Sequence, residues 1–252
     1  MSAAKITPET IRHWKGQRRI AALTTYDHPT TRLLDEEGVP LLLVGDSLGM
    51  VVLGYPDTTH VSMDEMVHHV RAAARAKPAA LLAADLPYGS YRTPEEAVQN
   101  ARRLVAAGAE AVKAEGYGEI RPQLQAIRQA GIELIGHLGM LPQHVLEEGG
   151  YHIKGRLEAE RQRLLAEAQG LAQLGAFAIV LELVTPPVAV EITHAVPIPT
   201  IGIGSGPDCD GQILVTNDLV GTYPWFTPRF VKPRLRAFEL MRAALREWQQ
   251  SL

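Results

Sequence analysis

Eight short, almost uninterrupted apolar runs recur along the chain, and amphipathic stretches separate most of them. The runs are Ile20–Asp27, Leu41–Asp46, Ala79–Pro87, Ala109–Gly116, Gly131–Gly139, Ala176–Val184, Ile198–Gly206 and, more weakly, Ile213–Gly221. A strand with one wet face alternates apolar and polar residues; these runs do not. They read as parallel strands buried on both faces, and their flanking glycines and prolines favour strand over buried helix. Eight such strands alternating with helices predict an α/β protein, a (β/α)8 TIM barrel. A doubly wound open sheet is the structural rival. The count of eight and the lack of a dividing linker favour the barrel, as one domain over residues 1–252.

Helix starts are legible between several runs. Ser62-Met63-Asp64-Glu65 has capping-box spacing and opens a stretch through Ala76. Thr93-Pro94-Glu95-Glu96 does the same toward Ala107, with proline at the first helical position and Gly108 as the stop. Arg156–Leu174 is a long helix ended by Gly175, and Thr185 before Pro186-Pro187 opens a short one. Two further helices fall outside the repeat. Thr7-Pro8-Glu9 caps one to about Lys15, placed to close the bottom of the barrel. Pro233–Gln250 carries Leu235, Phe238, Met241, Leu245 and Trp248 at helical spacing on one face, for packing on its own barrel or on a neighbouring subunit.

Composition narrows the partners. The formal net charge is −3 with no basic stripe, so neither nucleic acid nor an anionic membrane surface is expected. A single cysteine, Cys209, permits no internal disulfide, and the polar N-terminus has no signal-peptide character; a cytoplasmic location is the expectation.

In barrels of this kind the chemistry sits at the C-terminal ends of the strands. Strand two ends in Asp46-Ser47, strand three in Asp85, strand four in Lys113-Ala114-Glu115, strand five in His137 and strand six in Glu182. One carboxylate at a strand end usually caps the next helix. Four carboxylates, a lysine and a histidine on five successive strands call for a cation, because buried carboxylates repel unless one offsets them. Asp46, Asp85 and Glu115 are hard oxygen ligands suited to Mg²⁺, with Glu115 reaching further and binding through water. Zinc is disfavoured, since no Cys or His pair has ligand spacing. His68-His69 are adjacent on a helix and read as surface or packing residues.

Such a cation, holding a 2-oxo acid, stabilises the charge left when a proton leaves the neighbouring carbon. Glu182, at the end of strand six and off the metal, is the candidate base; His137 is the next candidate. Lys113 is placed to hold an oxygen, with a Schiff-base role disfavoured by the adjacent carboxylates that keep it charged. Gly202-Ile203-Gly204-Ser205-Gly206 is not a dinucleotide fingerprint, because Pro207 interrupts the spacing. Tight turning or close backbone approach is expected there, and Cys209 has no neighbouring base to make it a nucleophile.

These stretches resemble the ketopantoate hydroxymethyltransferase family. The resemblance is carried by Thr24-Thr25-Tyr26-Asp27, Val44-Gly45-Asp46-Ser47-Leu48-Gly49-Met50, Ala84-Asp85-Leu86-Pro87, Val112-Lys113-Ala114-Glu115-Gly116 and Gly136-His137-Leu138-Gly139-Met140-Leu141-Pro142-Gln143. Gly149-Gly150-Tyr151, Leu181-Glu182 and the run Ile201 to Leu214 extend it, so that it covers nearly the whole chain in order. The chain departs from the family pattern at His60-Val61-Ser62, after Lys154 and over Val220–Phe226.

The resemblance implies a Mg²⁺-dependent aldol-type transfer through an enolate. The donor is 5,10-methylenetetrahydrofolate, the acceptor 3-methyl-2-oxobutanoate and the products 2-dehydropantoate and tetrahydrofolate. It implies metal ligation by Asp46, Asp85 and Glu115, substrate contact by Asp46, Ser47, Asp85 and Lys113, and a proton acceptor at Glu182. His137, closing the neighbouring strand, joins the substrate-binding group. A homo-oligomer, of the decamer type, is expected by the same resemblance. Two rivals are weighed against it. A carbon–carbon lyase similar to the isocitrate lyase group would carry a Lys-Lys-Cys-Gly-His-type loop, which is absent; a catalytically dead scaffold would lack Asp46, Asp85 or Glu182, which are present.

Overall fold

The computed structural model describes residues 4–252. Among them, eight parallel strands close into a barrel in sequence order. The strands are β1 Ile20–Thr24, β2 Leu41–Val44, β3 Leu81–Asp85, β4 Ala111–Glu115, β5 Leu134–Gly139, β6 Ala178–Glu182, β7 Thr200–Ile203 and β8 Gly211–Leu214. The ring closes where Ile20 N–H donates to the Asp210 carbonyl at 3.0 Å. At Gly211 an added Cβ would lie 2.3 Å from the Ile20 carbonyl oxygen, so the residue opening β8 has no room for a side chain.

Helices follow the strands: α1 Pro8–His13 precedes β1, then come α2 His28–Glu36, α3 Met63–Ala74, α4 Pro94–Ala107, α5 Arg121–Gln129, α6 Glu158–Leu174 and α7 Pro186–Ala195. The expected starts hold. Ser62 and Glu65 form a reciprocal capping box on α3. Thr93 caps α4, with Pro94 first in the helix and Gly108 closing it at φ 117°. Glu96, however, turns its carboxylate to the Arg92 N–H rather than completing a box with Thr93. Thr7 caps α1 as expected, and its boxing partner is Thr10.

Side chains sort by strand parity, because successive residues of a strand point to opposite faces. Leu42, Val44, Leu82, Ala84, Val112, Ala114, Leu134, Ile179 and Leu181 face outward and pack with the helices. Leu41, Leu43, Leu81, Ala83, Ala111, Ile135, Ala178, Val180, Ile201 and Ile213 fill the interior. Ile11 of α1, fully buried, joins this interior set, with Trp14 packed beside it. The expected closure of the barrel bottom by the N-terminal helix is therefore realised.

The eighth apolar run is a correction. β8 lies earlier than expected, and most of Ile213–Gly221 is α8, Thr216–Val220, closed by Gly221 at φ 69°. Five residues ending in a left-handed glycine read as an apolar run, yet their Leu219 and Val220 belong to a helical turn. The C-terminal helix, α9, spans Ala237–Gln250 and so starts four residues after Pro233.

By contacts the chain forms two compact units, one ending at Ile213 and one spanning Leu214–Leu252. Within the second, Arg234 and Phe238 N–H groups donate to the Leu219 and Gly221 carbonyls at 2.7 and 3.0 Å. The Trp225 ring meets Phe238 edge-on at 5.2 Å. Among the described residues no helix is long and apolar enough to cross a membrane.

Candidate active site

The interior parity that fills the barrel with aliphatic side chains below becomes ionisable at the C-terminal end. Asp85 continues Leu81 and Ala83; Lys113 and Glu115 continue Ala111; His137 continues Ile135; Glu182 continues Ala178 and Val180. Register brings them together, pairing Asp85 with Lys113 and Glu115 with His137, while Glu182 pairs with Gly139 two residues beyond His137. Asp46 follows β2, and its N–H donates to Asp85 Oδ2 at 3.1 Å. A Cβ at Gly45 would lie 2.9 Å from Ser47 Oγ, so a side chain there would displace the Ser47 hydroxyl. Asp46, Asp85, Lys113, Glu115 and His137 are all buried.

Lys113 is the hub. Its Nζ lies 3.1 Å from Asp85 Oδ1 and 3.1 Å from His137 Nδ1. Burial alone would lower its pKa, but Asp85, then Glu115 and Asp46, outweigh burial and hold it above the ordinary lysine value. A charged ammonium facing Nδ1 makes that nitrogen the acceptor. Nε2 of the same ring lies 3.3 Å from Glu182 Oε2 without a well-aligned hydrogen bond. Glu115 Oε1 lies 3.5 Å from the same ring, and its Oε2 accepts from the Gln143 N–H at 3.0 Å.

The site carries more negative charge than its own cations offset. Burial, then Asp85 and Glu115, push the Asp46 carboxyl well above the usual carboxylate range. Burial also raises Asp85, although Lys113 opposes it. Asp85 Oδ1 is buried beside the Lys113 ammonium at 3.1 Å but without a well-aligned hydrogen bond. An under-satisfied carboxylate oxygen among buried acids is the place a hard divalent cation fits. Both Glu115 oxygens face protein groups, and among the described residues no three His, Cys, Asp or Glu side chains converge as a ready-made ligand group.

Glu182 stands on an unusual turn. Leu183 adopts φ 48°, a left-handed conformation that is disfavoured for a residue with a Cβ. Ser205 braces the turn: its hydroxyl donates to the Leu181 carbonyl at 2.7 Å and accepts from the Val184 N–H at 2.9 Å. Gly139 is required opposite, since a Cβ there would lie 2.1 Å from the Glu182 carbonyl oxygen. The side chain of Glu182 is 14% exposed, the most open of these acids.

Reasoning from strand ends did not reach the residues that surround them. Ser47 Oγ is 2.9 Å from the Tyr26 hydroxyl, and the Tyr26 carbonyl in turn meets His69 Nδ1 at 2.7 Å. His69 is thus a packing residue, as expected. Gln143, from the short turn Pro142–His144, bonds Asp46, and Tyr91 bonds Gln143. The Gly-Gly-Tyr motif places Tyr151 in the same acidic field. Tyr151 is 47% exposed, and partial desolvation, then Glu182, Asp46 and Glu115, raise its phenol to about 12. Nothing in strand periodicity marks these loop residues; the family-like motifs contain Tyr26, Gln143 and Tyr151, and no motif contains Tyr91. The glycine-rich segment turns tightly, with Gly204 and Gly206 at positive φ, and Cys209 is buried, with burial raising its thiol.

Solved structures similar to this one share its fold. Phosphonopyruvate hydrolase in complex with oxalate and Mg²⁺ matches with a TM-score of 0.65 at 15% identity, covering 95% of this chain and 84% of that one. Phosphoenolpyruvate phosphomutase from Streptomyces platensis subsp. rosaceus matches with 0.63 at 15% identity, over 84% and 82%. Sequence relatives are much nearer. The 3-methyl-2-oxobutanoate hydroxymethyltransferase of Moorella thermoacetica is 50% identical over 93% of this chain and 88% of its own length. The enzyme of the same name from Syntrophus aciditrophicus is 48% identical over 97% and 91%. The model of the family described as ketopantoate hydroxymethyltransferase matches residues 5–252. The match takes in the whole constellation from Asp46 to Glu182, and the chain belongs to the ketopantoate hydroxymethyltransferase family.

Proposed function

We propose that this chain transfers a hydroxymethyl group from 5,10-methylenetetrahydrofolate to 3-methyl-2-oxobutanoate, giving 2-dehydropantoate and tetrahydrofolate, with Mg²⁺ as cofactor. The observation that carries the reading is the family match over residues 5–252, which includes every member of the acid cluster. Small-molecule substrates suit a site at a barrel mouth, and a cytoplasmic homo-oligomer is the matching setting.

Asp46 and Asp85 would hold the cation directly and Glu115 through water, because both Glu115 oxygens already face His137 and Gln143. When bound, Mg²⁺ supplies Lewis-acid polarisation of the 2-oxo acid carbonyl. The chain's own residues do the rest. Lys113, charged and buried, stabilises negative charge on a substrate oxygen. Ser47, steadied by Tyr26, offers a hydroxyl to the carboxylate end. Glu182 removes the C3 proton: it is a carboxylate off the Asp46–Asp85 pair, with His137 Nε2 3.3 Å away. Carbon–carbon bond formation at C3 takes up the one-carbon unit, whose two C–N bonds to the folate break; water supplies the hydroxyl oxygen, and the proton taken from C3 and the second proton of water go to the two folate nitrogens, releasing tetrahydrofolate.

The test is turnover with both substrates, combined with exchange of the C3 hydrogen of 3-methyl-2-oxobutanoate in deuterated water, followed by NMR without folate. Glu182→Gln keeps the shape and removes the basicity, so both rates should drop on the order of 10² to 10⁴. Parent-like exchange in Glu182→Gln would move the base to His137. No turnover by the parent would remove the assignment altogether.

A further inference from the structure

Gln143 takes no part in the steps above, yet it is tied to the acids more fully than a loop residue needs to be. It is 2% exposed. Its carboxamide nitrogen donates to Asp46 Oδ2 at 2.7 Å and to the Leu86 carbonyl at 2.9 Å. Its backbone N–H donates to Glu115 Oε2 at 3.0 Å, and its carboxamide oxygen accepts from the Tyr91 hydroxyl at 2.5 Å. Both donors of the amide are used, and both meet groups that accept. That fixes which end is nitrogen, and Tyr91 holds the choice from the other side. Tyr91 is itself buried, and burial, then Glu115 and Asp46, push its phenol well up, so it stays the donor.

Resting on the reading that Asp46, Asp85 and Glu115 form the cation's surroundings, we propose that Gln143, oriented by Tyr91, is the positioning residue that decides which carboxylate oxygens remain free for the cation. With Oδ2 of Asp46 held by the carboxamide, Oδ1 is left to ligate. With Oε2 of Glu115 held by the Gln143 backbone and Oε1 facing His137, Glu115 reaches the cation through water only. A neutral donor has a property that lysine or arginine lacks at this place: it orients the carboxylate without cancelling the charge that attracts the cation. Asp46 and Glu115 come from different strands, and one residue sets the orientation of both.

A plain loop brace would have a different signature. It would lower stability and leave cation affinity untouched. The experiment titrates Mn²⁺ into the metal-free parent, Gln143→Met and Tyr91→Phe, reading free Mn²⁺ by EPR without substrate, alongside thermal melts of each metal-free protein. Methionine keeps the bulk and removes the donor. Gln143→Met should weaken Mn²⁺ by about 10- to 100-fold, the usual range for a partner that orients a ligand. Tyr91→Phe should weaken it less, and kcat of both should largely return at saturating Mg²⁺. Parent-like affinity in Gln143→Met overturns the proposal, as does parent-like affinity with kcat lost at saturating metal. If Gln143→Met does not fold, Tyr91→Phe decides by the same criterion. A parent that binds no Mn²⁺ would refute instead the cation reading on which this one rests.

Discussion

Leu183 holds a left-handed backbone directly after Glu182, and strain of this kind persists only where neighbours impose it. Ser205 and the close packing of Gly139 against the Glu182 carbonyl are those neighbours. Glycine tolerates this conformation, whereas a residue with a Cβ pays roughly 1–2 kcal/mol for it. Leu183→Gly should therefore leave stability unchanged or raise it by up to about 1 kcal/mol, the gain being offset by the greater freedom of glycine in the unfolded chain. The same change loosens the turn that aims Glu182, so kcat should fall while substrate KM moves little. Denaturant melts and steady-state kinetics on one preparation separate the two effects. Lower stability with unchanged kcat would mean the turn serves packing alone. Glu182 was legible as a strand-end carboxylate, but its link through His137 to Lys113 was not, since strand-to-strand register is not written in either run.

At the level of elements, the strand–helix pairs behave as their caps and periodicity dictate, and α9 stands apart. None of its residues is buried, and Leu240, Met241, Leu245 and Trp248 are each more than half exposed. Phe238 packs within its own unit against Trp225. Met241, Leu245 and Trp248 recur at helical spacing, and a contiguous exposed apolar stripe of this size marks an interaction surface. The expectation is that a further copy of the chain covers it. Leu245→Asp combined with Trp248→Asp should lower the sedimentation coefficient of the particle while the far-ultraviolet circular dichroism is kept. An unchanged particle would leave the stripe without a role in assembly.

For the whole molecule, the acid cluster couples ligand binding to folding. Asp46, Asp85 and Glu115 are buried with Lys113 as the nearest firm cation, an arrangement that costs stability until a counter-charge is supplied. A ligand that binds only the folded state adds RT ln(1 + [L]/Kd), about 2.7 kcal/mol at a hundredfold excess over Kd. Mg²⁺ should thus raise the melting temperature of the parent, and a chelator should reverse the rise. Asp85→Asn removes a proposed ligand and should erase the increment while the metal-free protein still folds. Equal increments in parent and Asp85→Asn, followed by calorimetry, would place the cation elsewhere.

The barrel was legible because doubly buried parallel strands leave a continuous apolar signature, and because caps such as Ser62 and Thr93 act within a few residues. The candidate acids were legible for a related reason: a charged side chain ending an apolar run has few bland explanations when five runs do it. The start of β8 was not, since Gly211-Gln212 carries no apolar signature, and it is the pairing of these two residues with Ile201 and Gly202, with the closing bond from Ile20 to Asp210, that makes them a strand. The roles of Gln143, Tyr91 and Ser205 were not legible either. Each lies far in sequence from the group it holds, 97 residues in the case of Gln143 and Asp46. Local physics acts between chain neighbours and is written in sequence order. Hydrogen bonds between distant loops depend on strand register and barrel closure, and these exist only in three dimensions.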